Sequence, residues 1–169
     1  TSSPTLSGAI AANSLRFAGA AAQTLTGAST VGGGILVTAG VGANLSTITG
    51  GTLAGSSGRD LVVIQNNTAA GLTISSTIVN NTSATALTKS GPGLLTLAAS
   101  NSYTGGTRLN DGTLSFVNGG LGASGNLTLA GGTLQWATGN TQDISSRMVL
   151  VPGAVVTLDT IANNFSLTT

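Results

Sequence analysis

The sequence contains no cysteine, histidine or glutamate. Lack of cysteine removes disulfides, thiolate–metal sites and thiol nucleophiles. Lack of histidine removes a Ser-His-Asp triad and every imidazole ligand. Charge is scarce: Asp60, Asp111, Asp143 and Asp159 against Arg16, Arg59, Lys89, Arg108 and Arg147 leave a net charge of +1, with 5% charged residues in 169. An ordinary soluble domain carries about 25%. So thin a basic content excludes the electrostatic footprint of a nucleic-acid or anionic-membrane binder. No apolar run approaches the roughly 18 residues of a spanning helix. Thr1–Gly8 has neither the basic nor the apolar stretch of a signal peptide, so the start reads as a mature or excised boundary.

What is present is 40% hydrophobic residues and 26 glycines. Disorder goes with low hydrophobicity and high charge, so it is rejected. The apolar residues fall in short alternating runs bounded by Gly, Asn, Ser and Thr, the pattern of β-strands joined by tight bends. No stripe of helical period exceeds about two turns, and the Ala-rich piece Ala18–Ala22 is too short and Gly-bounded to hold a helix.

Glycines that launch a strand recur at Gly51, Gly71, Gly93, Gly112, Gly132 and Gly153, about 20 residues apart. Between them runs a second series, Leu87, Leu109, Leu129, Val149 and Leu167. Two interleaved series with one period predict one coil per period: an all-β, single-stranded parallel β-helix. Roughly eight rungs at about 4.8 Å give a rod of the order of 40 Å. One inward wall is expected from Leu53, Ile74, Leu95, Leu114, Leu134 and Val156, the other from the second series. Residues 1–169 read as one solenoid domain, less regular over 1–50 and regular over 51–169. In the irregular part SLRF (14–17), QTLT (23–26), GILVT (34–38) and STIT (46–49) are strand candidates; RDLVVIQNN (59–67) and GLTISSTIV (71–79) follow.

Few residues offer chemistry. Lys89 and Asp111, about one coil apart, are expected to stack as a surface ion pair of under about 1 kcal/mol. Tyr103 and Trp136 would stack on a sugar if exposed, or else cover a corner or cap the core. The triplets Thr24-Leu25-Thr26 and Thr47-Ile48-Thr49 suggest a flat threonine array of the ice-binding kind, but they are not expected to repeat in register. Sequons at Asn44, Asn66, Asn80, Asn81, Asn126 and Asn164 read as turn and ladder asparagines. Gly32–Gly34 lacks the following helix that a phosphate cradle needs, so corner glycines explain it. Parallel β-helices host polysaccharide lyases and hydrolases, but four scattered aspartates supply neither a carboxylate pair nor a Ca²⁺ cluster. No catalytic, cofactor-binding or metal-binding residue is expected. A sugar-binding or carbohydrate-processing β-helix is the alternative reading.

The stretches LTKSGPGLLTL (87–97) and NSYTGGTRLNDGTL (101–114) resemble the autotransporter-associated β-strand repeat, also called the passenger-associated transport repeat. The family pattern runs Leu-Thr-Lys-x-Gly-x-Gly-x-Leu-x-Leu, then Asn-x-Tyr-x-Gly-x-Thr, then x-Gly-x-Leu. GGILVTAGV (33–41), ITGGTL (48–53) and DLVVIQNN (60–67) are similar to segments just upstream of such repeats. The resemblance implies a right-handed parallel β-helix exported to the surface of a Gram-negative-type bacterium, with no catalytic residues to carry over. SLRF near one end and NFSLTT at the other show no capping element. The expectation is therefore a segment of a longer rod, or a fibre subunit that self-associates end to end through exposed edges. Adhesion and surface glycans are further expected roles, with no nucleic-acid partner and no membrane span in this chain.

Overall fold

The computed structural model describes residues 5–163. The chain winds as a parallel β-solenoid of about 7 turns, about 21 residues each. One sheet stacks Thr5–Ser7, Gln23–Thr26, Ser46–Thr49, Leu72–Ile74, Leu94–Leu97, Thr113–Phe116, Gly132–Trp136 and Val156–Asp159. The eight strands bound seven turns, so the rung count expected from sequence and the turn count agree.

The second sheet stacks Ile10–Phe17, Ser29–Val37, Leu61–Gln65, Leu87–Ser90, Thr107–Leu109, Leu127–Leu129 and Met148–Leu150. Ser29–Val37 is long enough to bend across two faces: Ile35–Val37 pair with Val63–Gln65, whereas Ser29–Val31 pair with Leu53–Gly55. Thr77–Ile78 continue that branch beneath Thr52 and Leu53. The coil therefore has three faces over its first half. The run 71–79, expected as one strand, is two, because Ser75 and Ser76 turn the corner. Buried Ser76 makes the bend specific by donating its hydroxyl to Gly50 O at 2.8 Å.

Strand alternation sends every second side chain inward, and stacking lines these into columns. On the first sheet Leu72, Leu95, Leu114 and Leu134 form one column that ends in half-exposed Leu158. Leu25, Ile48, Ile74, Leu97, Phe116 and Trp136 form its neighbour. Thus Leu95, Leu114 and Leu134 of the expected wall share a column. Ile74 points inward too, but two residues along, beside Leu97 rather than Leu95. Val156 pairs with Gly132, and the partner of Leu134 is Leu158. Leu53 lies in the second sheet, between Ser29 and Ile78.

On the second sheet Leu109 and Leu129 share a column that runs from Ile35 and Val63 through Lys89 to Leu150. Leu87 is inward one column over, with Leu61, Thr107 and Leu127. Val149 faces outward, beside Thr128, and is 41% exposed. Leu167 lies outside the described residues. Corners vary in length: a shift of two residues moves Ile74 and Val156 to another position on the same face, and a slip of one residue turns Val149 outward.

The recurrent glycines sit at the corners, with two physical reasons for being glycine. Gly112 has φ of 69°, and a Cβ there would also meet Gly93 O at 2.7 Å. Gly51, Gly132 and Gly153 share the positive φ, while Gly71 and Gly93 do not. At Gly93 close approach alone excludes a side chain, since a Cβ would meet the Gln65 side chain at 2.8 Å.

Candidate functional site

The polar residues singled out from the sequence are mostly built into the coil. Lys89 belongs to the inner column between Val63 and Leu109 and is 0% exposed. Its Nζ curls to the corner and donates to Ser90 O (3.2 Å), Gly91 O (2.6 Å) and Asp111 O (3.0 Å). The expected surface ion pair is instead an ammonium holding backbone carbonyls of two successive coils. Asp111 uses its own Oδ1 to accept the Gly112 N–H at 2.7 Å. Burial lowers the Lys89 pKa to about 8, and the nearby Asp111 charge opposes that shift.

Arg147 does similar work lower down. Its guanidinium donates to the carbonyls of Leu121, Gly122, Ser124 and Gly125, at 2.8–2.9 Å. Asparagine side chains also bridge coils. Asn101 accepts from Ile78 N and donates to Gly120 O; Asn140 donates to Phe116 O, Asn67 to Gly42 O and Asn163 to Ala137 O. These amides replace ladder bonds that the backbone cannot make at a bend. Sequence reasoning placed ladder asparagines at sequons, and Asn44, Asn80 and Asn81 do bond to backbone or to Thr104. Asn66 and Asn126 are exposed, and Asn164 lies outside the described residues. The bridges at Asn67, Asn101, Asn140 and Asn163 carry no sequon signal; their signal is an Asn at a bend about one coil from a matching bend.

Tyr103 and Trp136 are both 0% exposed and are not sugar-stacking platforms in this fold. Tyr103 Oη lies 2.6 Å from Thr107 Oγ1, and burial pushes its phenol well above the usual range. Trp136 donates Nε1–H to Gln142 O at 3.0 Å and packs on Phe116 with ring centroids 5.1 Å apart. Their polar tips are satisfied and their rings fill the lumen, as buried aromatics require.

The threonines run against expectation in the other direction. Thr24 and Thr26 align with Thr47 and Thr49, and the first file continues through Thr73 and Thr96 to Ser115. The triplets therefore do repeat in register, on the outer face of the first sheet. The expected mismatch came from unequal corner lengths, which the coil absorbs without shifting the strands.

Three of the four acids are engaged locally. Asp111 holds its corner, Asp143 Oδ1 accepts from Ser145 N and Oγ, and Asp159 accepts from Gln135 and Ile161 N. The bonds from Gln135 and Ile161 lower the Asp159 pKa. Among the described residues no group of three or more metal-ligating side chains assembles. No helix there is long and apolar enough to cross a membrane.

The architecture is that of a parallel β-solenoid whose coils are tied by cation–carbonyl and amide–carbonyl bonds. Within it, residues 87–116 are a passenger-associated-transport-repeat, matching that family's model over this stretch. The chain is also 37% identical over 133 residues to "Adhesin BmaC autotransporter" of Brucella suis biovar 1 (strain 1330). That similarity covers 72% of this chain and 4% of the adhesin, so the chain spans a small part of the relative's length. No solved structure matches.

Proposed function

We propose that this chain is a stretch of stiff, non-catalytic stalk in a bacterial surface protein, giving reach and protease resistance and carrying adhesive surfaces. It is extracellular or held at the surface of a Gram-negative-type bacterium. The observation that carries the reading is the unbroken register of the first sheet, whose inner columns hold aliphatic or aromatic side chains from Leu72 onward. A stack of this kind resists bending because every coil is bonded along its length to the next. The local engagement of Asp111, Asp143 and Asp159 supports a non-catalytic role, as does the absence of histidine.

The C-terminal coil of the described residues is consistent with continuation of the stack. Among the described residues, Leu150 (60% exposed), Val155 (86%) and Leu158 (37%) present an apolar end beside the edge strand Val156–Asp159. Such an edge attracts a further strand. The cover is a following coil of a longer rod or the first coil of another copy. Sedimentation and electron microscopy at low and high concentration test the second form. Concentration-dependent rods that Leu158→Lys disperses are expected; monodisperse monomers at high concentration would sink end-to-end docking.

A further inference from the structure

A shallow groove of about 300 Å³ runs along the corner beside the second sheet. The register that stacks Leu61, Leu87, Thr107 and Leu127 also aligns Asp60, Ala86, Gly106 and Asn126 just before them. Val62, Thr88, Arg108 and Thr128 form the next outward file. The groove thus follows the rod axis across four coils, about 14 Å at the 4.8 Å strand spacing. Its floor is Ala86 with the backbone of Gly105 and Gly106, and its rim is polar.

The rim differs from the corners tied by Lys89, Arg147 and the bridging asparagines. The side chains of Asp60, Thr88, Asn126 and Thr128 make no hydrogen bond among the described residues. Arg108 commits only Nε, to Asn110 Oδ1 at 2.8 Å. Asn67, Asn101, Asn140 and Asn163, by contrast, are all spent on neighbouring coils. In a chain with 5% charged residues, the groove gathers an exposed carboxylate with its acceptors unspent and an exposed guanidinium with both terminal NH₂ groups unspent.

These groups select among occupants. The floor strand Leu87–Ser90 is paired on both sides, so no edge is available for a peptide strand to join. Ala86 and glycine backbone offer no pocket for an apolar anchor. An anionic polymer meets Asp60, and a cationic one meets Arg108. A sugar ring suits all of them: its hydroxyls donate to a carboxylate, accept from a guanidinium, and do both with amide and hydroxyl groups. We infer that this groove binds an uncharged oligosaccharide lying along the rod, with Asp60, Arg108 and Asn126 as its polar contacts. The inference is independent of end-to-end docking, which involves the other end of the columns.

The test is titration calorimetry of the whole chain with neutral tetrasaccharides of glucose, mannose, galactose and N-acetylglucosamine, with heparin and polygalacturonate as anionic controls. At least one neutral probe is expected to bind, equally at low and high salt, because no net charge is neutralised. Asp60→Asn and Arg108→Gln should each weaken it by about tenfold or more, the loss of one charged hydrogen bond. Ala86→Tyr, which fills the floor, should abolish it, and Thr47→Ala on the opposite sheet should leave it unchanged. Circular dichroism should be the same for all variants of these outward positions. The proposal is overturned if no neutral probe binds, if binding survives Asp60→Asn, Arg108→Gln and Ala86→Tyr alike, or if only the anionic polymers bind and salt removes them.

Discussion

The two halves of the solenoid close their third face by different means. From Ile10 to Ile78 that face is a ladder of backbone: Ile10–Ala12 on Ser29–Val31, Ser29–Val31 on Leu53–Gly55, and Thr52–Leu53 on Thr77–Ile78. Beyond it the strands give way to bends filled by Tyr103, Leu121 and Ile144, where a few backbone bonds remain, such as Ser102 N to Ile78 O and Ala123 N to Tyr103 O, and side chains add others. Asn101, Asn140 and Arg147 add coil-to-coil bonds there to those of the peptide groups, and the Tyr103–Thr107 bond ties the bend itself. Backbone closure asks only for alternation and small residues, so many sequences satisfy it. Side-chain closure asks for a given residue at a given bend. The family repeat at 87–116 falls in the half where side chains add to the bridging.

The comparison predicts unequal sensitivity. The largest effect is expected in the compact half: Leu114→Ala, in the middle of a column between Leu95 and Leu134, should cost about 2–5 kcal/mol in a urea titration. A loss well below 1 kcal/mol would mean that the column is not the packed core described.

At the boundary between the halves, Lys89 gives an intermediate and pH-dependent effect. Its folded pKa of about 8 lies below the free value of 10.5, so between those values the unfolded chain holds the proton that the fold has released. Stability should therefore rise with pH from about 8 towards 10, by up to about 3 kcal/mol. Tyr103 sets the upper limit, because its raised pKa makes the unfolded chain ionise first above its free value of 10.0. Lys89→Met should flatten the rise and, by stranding the carbonyls of Ser90, Gly91 and Asp111, lower stability at pH 7 by about 1–3 kcal/mol. Urea midpoints for both proteins at pH 7, 8, 9 and 10 decide this; parallel curves would refute it.

The smallest effect belongs to the upper half. Ser46 is 0% exposed with an Oγ that has no partner, at the point where the leucine column gives way to Gln23. Ser46→Ala removes a stranded hydroxyl and should be neutral or stabilise by up to about 1 kcal/mol. A clear loss in melting temperature would show that the hydroxyl is in fact satisfied.

Much of the coil was legible because its repeat rests on chemistry that shows in one dimension. Gly112 needs positive φ and no Cβ, and Leu95, Leu114 and Leu134 need to face inward at the same point of each turn. The candidate site was not. Tyr103 and Trp136 attracted notice as amphipathic aromatics, whereas the free polar groups lie at Asp60, Arg108 and Asn126, which share no motif.

Sequence alone determined that this chain coils, roughly how often, and where it bends, since alternation and glycine spacing are local properties. Only the tertiary structure decided that Lys89 turns in and Val149 out, that the threonines align, and that Asp60 and Arg108 border one groove. The reason is that facing depends on register between coils: a corner one residue longer or shorter can reverse a strand's two faces, and only stacking shows which corners absorb the difference.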